Sequence, residues 1–224
     1  KKFNFTNVRM ALATRPEKAI GDDAQWDVAI KALADAMDKV GIEYTVEDGE
    51  GAFYGPKIDL YIKDAMDREW QCGTVQVDFF LPENFKLEYI ASDQSRQRPV
   101  MIHRAPFGSM ERFIGVLIEH CGGKFPLWLS PEQFTILTIS EKYNDYAKKV
   151  QDELSAHDIR GIIDDRSEKV GRKIRDAEVK KIPFMLIVGE KEAAEGKVSV
   201  RKQGEGDVGS MAIEEFVTYF KKLL

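Results

Sequence analysis

The period of apolar and polar positions changes several times along the 224 residues, and each change marks an element. Phe3-Asn-Phe-Thr-Asn-Val-Arg-Met10 reads as a strand that ends near Thr14-Arg-Pro16. Asp22-Asp23 then caps a helix that carries Trp26, Ile30, Leu33, Met37 and Val40 on one face, and Gly41 closes it. Core packing accounts for that stripe. Residues 42–46 are strand-like, Ile58-Asp-Leu-Tyr-Ile62 alternates strictly, and 70–80 predicts a long strand. The polar stretch 82–99 reads as an irregular loop. A strand at 100–103 then leads through a small-residue turn into a helix over 110–121. Ser109 stands as its N-cap, and Met110, Phe113, Ile114, Leu117 and Ile118 follow at helical spacing. Gly122-Gly123 stops it.

Beyond Gly122-Gly-Lys-Phe-Pro-Leu-Trp-Leu-Ser-Pro131 the pattern becomes an alternation of strands and helices. Strands are predicted at 133–139, 159–163, 184–188 and 198–200. Helices are predicted through Tyr143, Tyr146, Ala147, Val150 and Leu154, over 168–180, and after Ser210 through Ile213, Phe216, Val217 and Phe220. The expected fold is α/β of the α+β kind. Residues 1–124 form a mostly antiparallel sheet with packed helices, and 125–224 a smaller α/β domain with a mixed sheet.

Composition narrows the class. The chain is 43% apolar and 32% charged, with no low-complexity tract and no run of membrane-spanning length. Two cysteines far apart make no disulfide framework and suit a reducing cytoplasm. A net charge of −5 means that any polyanion must be met by a local patch. One candidate is 166–181, where seven Lys or Arg face three acids; the same run also fits a solvated helix face. The first residue is Lys1 rather than methionine, which reads as a piece of a longer protein.

Three features could carry chemistry. In the strand from Trp70 to Asp78, alternation places Cys72, Thr74 and Gln76 on one face. Buried, such a face needs partners and suits a small polar ligand; exposed, it is an ordinary solvent-facing strand. Tyr54 and Lys57 flank the rigid Gly55-Pro56 turn, which can hold two side chains at fixed separation. Arg112 stands in the first turn of an apolar helix, where a cation opposes the helix dipole unless an anion offsets it.

Taken together, Gly51-Ala-Phe-Tyr-Gly-Pro-Lys57, Gln71-Cys-Gly-Thr74, Pro99-Val-Met-Ile-His-Arg104 and Gly108-Ser-Met-Glu-Arg112 resemble the last part of the threonyl-tRNA synthetase catalytic domain. The Gly-x-x-Glu-Arg turn is similar to the third signature motif of class II synthetases. The similarity continues through an anticodon-binding domain and covers essentially the whole chain.

The resemblance implies a threonine–tRNA ligase. Such an enzyme activates threonine with ATP and Mg2+ to threonyl-adenylate, then transfers it to the 3′ end of tRNA(Thr). It further implies that Tyr54, Lys57, Gln71, Thr74, Gln76 and Ser109 surround threonine and ATP, with Gly73 keeping one wall open. Arg112 would clamp ATP's terminal phosphates, and Lys57 with Arg112 would do the catalytic work. His103 matches the last ligand of the family's zinc, Zn2+; the other two ligands are expected upstream of this chain, so the chain itself would hold zinc weakly or not at all. Ser167, Lys169, Glu192 and Arg201 match positions near the anticodon, Ser167 standing where asparagine is expected. The homodimer motif, the second motif and the editing region are expected outside these residues, so catalysis by the chain alone is expected to fail. Two other readings remain: a non-catalytic synthetase-like tRNA- or RNA-binding protein, and a sister ligase for proline, glycine or histidine.

Overall fold

A computed structural model describes residues 2–224, which divide into one unit ending at His120 and a second from Cys121 to Leu224. In the first unit β1 (Val8–Ala13), β2 (Tyr44–Glu47), β3 (Lys57–Lys63) and β4 (Glu69–Asp78) belong to a five-stranded sheet. The strand begins at Val8 rather than Phe3, because Asn4 turns the backbone to φ 57°. Phe3 and Phe5 instead join a ring cluster with Phe113.

Between β1 and β2 runs α1 (Asp23–Val40). Asp22 is the N-cap, its side chain accepting from Gln25 N, and Gly41 ends the helix at φ 71°. Trp26, Ala29, Leu33 and Met37 are buried, while Val40 is exposed. Leu33 and Met37 pack on Leu12, Ile58 and Val77 of the sheet. The β3–β4 turn is organised by Asp64, whose carboxylate accepts from Met66 N, Arg68 N, Arg68 Nε and Trp70 Nε1. That set of donors, Trp70 first, holds its carboxyl well below the usual carboxylate range.

The strand β4 stops at Asp78, two residues short of the sequence expectation. Asp78 Oδ1 accepts from Phe80 N and Leu81 N, which bends the chain into α2 (Phe80–Asn84). The polar stretch that follows holds a small hairpin, β5 (Tyr89–Ile90) with β6 (Arg96–Gln97). Then β7 (Met101–Ala105) closes the sheet in the order β2-β1-β3-β4-β7, antiparallel except for the β1–β2 pair. The helix α3 (Met110–Cys121) buries Phe113, Val116 and Leu117 and leaves Met110, Ile114 and Ile118 exposed. Gly122 and Gly123, at φ 55° and 75°, end it.

The second unit contains β8 (Phe134–Thr138), a 3-10 turn, α4 (Asn144–Ser155), β9 (Gly161–Asp164), α5 (Val170–Val179), β10 (Phe184–Val188), α6 (Glu190–Glu195), β11 (Lys197–Lys202), β12 (Gly206–Ala212) and α7 (Ile213–Lys221). The sheet order is β12-β11-β10-β8-β9. β9, β8 and β10 run parallel, β11 and β12 antiparallel, so the sheet is mixed. Ser210 lies inside β12, and Ala212 rather than Ser210 precedes the last helix. Phe134, Ile136, Leu186, Val198 and Val200 face α4 and α7, packing on Val150, Leu154, Phe216 and Phe220. Leu137 and Met185 face the other way, against Ala177 of α5 and the nearby Ile182.

Candidate functional site

One face of the first sheet is polar, and the register says why. On β3 the alternation Lys57-Ile-Asp-Leu-Tyr61 sends Ile58 to the α1 side and Lys57, Asp59 and Tyr61 to the other. Across β4, Lys57 pairs with Gln76 and Asp59 with Thr74. The pairing then slips: Leu60 opposes Gly73, but Tyr61 opposes Gln71. Cys72 is the extra residue of this bulge. Unbroken alternation would put Gln71 opposite to Thr74 and Gln76. The bulge returns it to their face, and Cys72, the residue left out of the pairing, is buried. The face expected to carry Thr74 and Gln76 thus gains Gln71 as well. Gly73 also lies on the other face, where a Cβ would come within 3.0 Å of Pro106 O; it admits that backbone and opens no wall of the polar side.

The polar side chains form two groups. Lys57 Nζ donates to Asp59 Oδ2 at 2.5 Å, and Gln71 Nε2 to Asp59 Oδ1 at 2.6 Å. Tyr54 Oη donates to Gln76 Oε1 at 2.5 Å, and its ring lies 6.2 Å from that of His103. His103, opposite Gln76 in register, places Nε2 2.7 Å from Asp78 Oδ2. Burial, with the Asp78 carboxylate adding to it, pushes the Tyr54 phenol up. Thr74 Oγ1 is buried and has no hydrogen-bond partner among the described residues. Gly55 lets the Tyr54 turn pass the sheet, for a Cβ there would collide with the Val77 carbonyl oxygen.

Ser109 and Arg112 start α3. Arg112 N donates to Ser109 Oγ at 3.3 Å, and Ser109 Oγ donates to Glu111 at 2.8 Å. The Arg112 guanidinium is exposed; Nη1 donates to the Gln71 carbonyl at 2.9 Å, and the group sits 5.6 Å from the Trp70 ring centroid. It is thus tied to β4 at the bulge rather than to Lys57 or Tyr54.

In the second unit Ser167 and Lys169 are exposed in the loop between β9 and α5. Glu192, in α6, accepts from Gly189 N at 3.0 Å and from Ser199 Oγ at 2.7 Å. Arg201 shares the Ser199 face of β11, and its Nε is buried with no partner among the described residues. The loop after β9 and the helix after β10 both follow the carboxyl ends of parallel strands, the edge where open α/β sheets present their ligand-binding loops. Three cations of the basic run have partners within the fold. Arg166 pairs with Asp164 and Asp176, Arg172 with Asp176, and Lys173 is buried.

Residues 13–121 match the family pattern described as tRNA synthetase class II core domain (G, H, P, S and T), and 133–223 match the anticodon binding domain. Threonine–tRNA ligase of Phocaeicola vulgatus is 60% identical over 220 residues, covering 96% of this chain and 34% of that protein. That of Clostridioides difficile is 52% identical over 222 residues, covering 99% and 35%. The chain belongs to the threonyl-tRNA synthetase family. It spans about a third of the length of these relatives. The crystal structure of the RNA binding domain of threonyl-tRNA synthetase from Cryptosporidium parvum Iowa II superposes with a TM-score of 0.90 at 40% identity, over 99% of this chain and 56% of that one.

Asp59 and Asp78, both almost fully buried beneath the polar face, were not singled out by the motifs of the synthetase family. Strict alternation in β3 was the signal for Asp59; nothing local marked Asp78. Among the described residues no group of three His, Cys, Asp or Glu side chains could hold a metal ion. His103 has Asp78 beside it and no third ligand, so these residues by themselves do not fit the family's zinc. No described helix is long and apolar enough to cross a membrane.

Proposed function

We propose that this chain supplies part of the adenylate site and the anticodon-reading surface of a threonine–tRNA ligase. The threonine carboxylate attacks the α-phosphorus of ATP, forming threonyl-adenylate and releasing pyrophosphate. The threonyl group then passes to the terminal adenosine of tRNA(Thr), and AMP leaves. The observation that carries the reading is the gathering of Lys57, Gln71, Thr74 and Gln76 on one face of one sheet, through a bulge at Cys72.

Each residue has a physical part in it. Lys57 neutralises carboxylate or phosphate charge as the anhydride forms. Tyr54 and Gln76, already bonded to each other, orient the amino acid's polar groups. The unpartnered Thr74 hydroxyl is completed by the ligand. Ser109 shapes the turn beside the aminoacyl group. Arg112 swings its planar fork from the Gln71 carbonyl onto ATP's terminal phosphates, a bidentate grip that lysine lacks. Mg2+ bound to ATP would share that neutralisation with Lys57 and Arg112. His103 serves as one zinc ligand in the whole enzyme, a cytoplasmic homodimer. No step is assigned to the zinc, since the other ligands are not among these residues.

In the second unit, Ser167, Lys169, Glu192 and Arg201 read the anticodon loop. Splayed bases are recognised through their edges, and Glu192 keeps lone pairs beyond the two bonds it already accepts. The RNA binding named for the Cryptosporidium structure supports this part of the reading.

The test is binding of the chain to tRNA(Thr) and to the same tRNA with its second and third anticodon bases changed. A clear loss of affinity on changing those bases is expected. Equal binding would reduce the surface to a non-specific basic one and favour a non-catalytic RNA-binding relative.

A further inference from the structure

Asp59 is fully buried on β3, and each of its oxygens holds a different residue of the polar face. Oδ2 takes the Lys57 ammonium and Oδ1 the Gln71 amide. This has a consequence for Gln71. A carboxylate only accepts, so the amide can meet it only with its NH2 end. The reverse orientation would press the amide oxygen against a carboxylate oxygen in a site closed to water. The Gln71 side-chain oxygen is therefore turned away from Asp59, and the amide cannot flip to present a donor instead. Directly across the ladder, Thr74 carries the buried hydroxyl that has no hydrogen-bond partner among the described residues.

We propose that Asp59 is a positioning residue that fixes two ligand-facing groups with one carboxylate. It holds Gln71 as an acceptor toward a donor group of the ligand, and Lys57 as a cation toward its acidic group. The proposal rests on the reading of this face as the adenylate site. It adds that Asp59 decides which polarity the face presents.

The pair can be tested by an electroneutral exchange. In Q71E two carboxylates oppose each other. In D59N the amide cannot accept from both Lys57 and Gln71, so Gln71 either loses its bond or turns its oxygen inward and presents a donor to the ligand. In the double variant D59N/Q71E, the amide introduced on β3 donates to the carboxylate introduced on β4 and accepts from Lys57. The hydrogen-bond network is then whole again with the same net charge. Titration of the 224-residue chain with a non-hydrolysable threonyl-sulfamoyl-adenosine is expected to show about a tenfold or greater loss for each single variant. The double variant should recover to within about threefold of the parent. Circular dichroism verifies that all four proteins are folded.

Side-chain amide NMR supplies a readout that needs no ligand. The Gln71 NH2 protons should exchange slowly in the parent and quickly in D59N. Parent affinity in D59N, or a double variant no better than Q71E, overturns the proposal. If the parent chain does not take the probe, the adenylate reading fails instead. In that case slow Gln71 exchange that D59N abolishes still supports Asp59 as the positioning group, and fast exchange in the parent overturns it.

Discussion

Asp78 Oδ2 lies 2.7 Å from His103 Nε2, while Oδ1 of the same carboxylate accepts the backbone N–H groups of Phe80 and Leu81. One buried side chain thus joins the end of β4 to the middle of β7 and starts α2. Asp78→Ala removes the cap and strips His103 of its partner together. A loss of about 2–4 kcal/mol in urea unfolding is expected, with Asp78→Asn losing less because an amide oxygen can still accept the two N–H groups. Equal losses for the two variants would show that the cap contributes nothing.

Arg112 is exposed and bonded to a backbone carbonyl, so its replacement should leave the fold nearly untouched. Arg112→Lys and Arg112→Ala are each expected to change stability by no more than about 1 kcal/mol. Both should weaken ATP binding about tenfold or more, because lysine cannot reproduce a two-pronged grip on phosphate. ATP affinity retained by Arg112→Lys would replace the fork with a simple point charge.

Lys173 is buried with Nζ donating to Thr138 O at 2.9 Å, Thr138 Oγ1 at 3.3 Å and Asp164 O at 2.8 Å. Burial lowers its pKa below the ordinary 10.5. The folded state therefore binds fewer protons here than the unfolded state in the window below 10.5, and this residue's contribution to stability rises with pH across that window. Stability of the parent minus that of Lys173→Met, followed by urea unfolding from pH 8 to 10, should increase. A flat difference would mean that the ammonium titrates as it does in water.

Arg166 hydrogen bonds hold the Asp164 and Asp176 carboxyls below the ordinary 3.8. Carboxyls with depressed folded-state values stabilise fully above the unfolded value and lose that contribution as pH falls through the folded one. The stability gap between the parent and Arg166→Ala should therefore close below about pH 4. Denaturation at pH 7, 4 and 2 measures it. A gap that persists at pH 2 would assign the effect of Arg166 to packing.

The α1 helix was legible end to end, because its signals are local: Asp22 bonds a backbone N–H three residues on, and Gly41 supplies φ 71°. Helix α6 and strand β12 were not read from the pattern. The first is six residues long, and the second, Gly206-Asp-Val-Gly-Ser-Met-Ala212, has no apolar alternation and is ordered by pairing with β11. The basic stretch at 166–181 looked cationic in one dimension, yet Asp164 precedes it and folds back onto Arg166.

By itself the sequence determined the two-part α/β organisation and the motifs whose turns and spacing mark the synthetase family, since periodicity, caps and glycines act over a few residues. Only the tertiary structure decided which side chains share the polar face. Gln71 lies an odd number of residues from Thr74 and Gln76, and simple alternation separates it from both. A single unpaired residue in the ladder, Cys72, reverses that parity. The pairs that meet beneath the face across strands, Asp59 with Gln71 and Asp78 with His103, lie 12 and 25 residues apart, where no local pattern reaches.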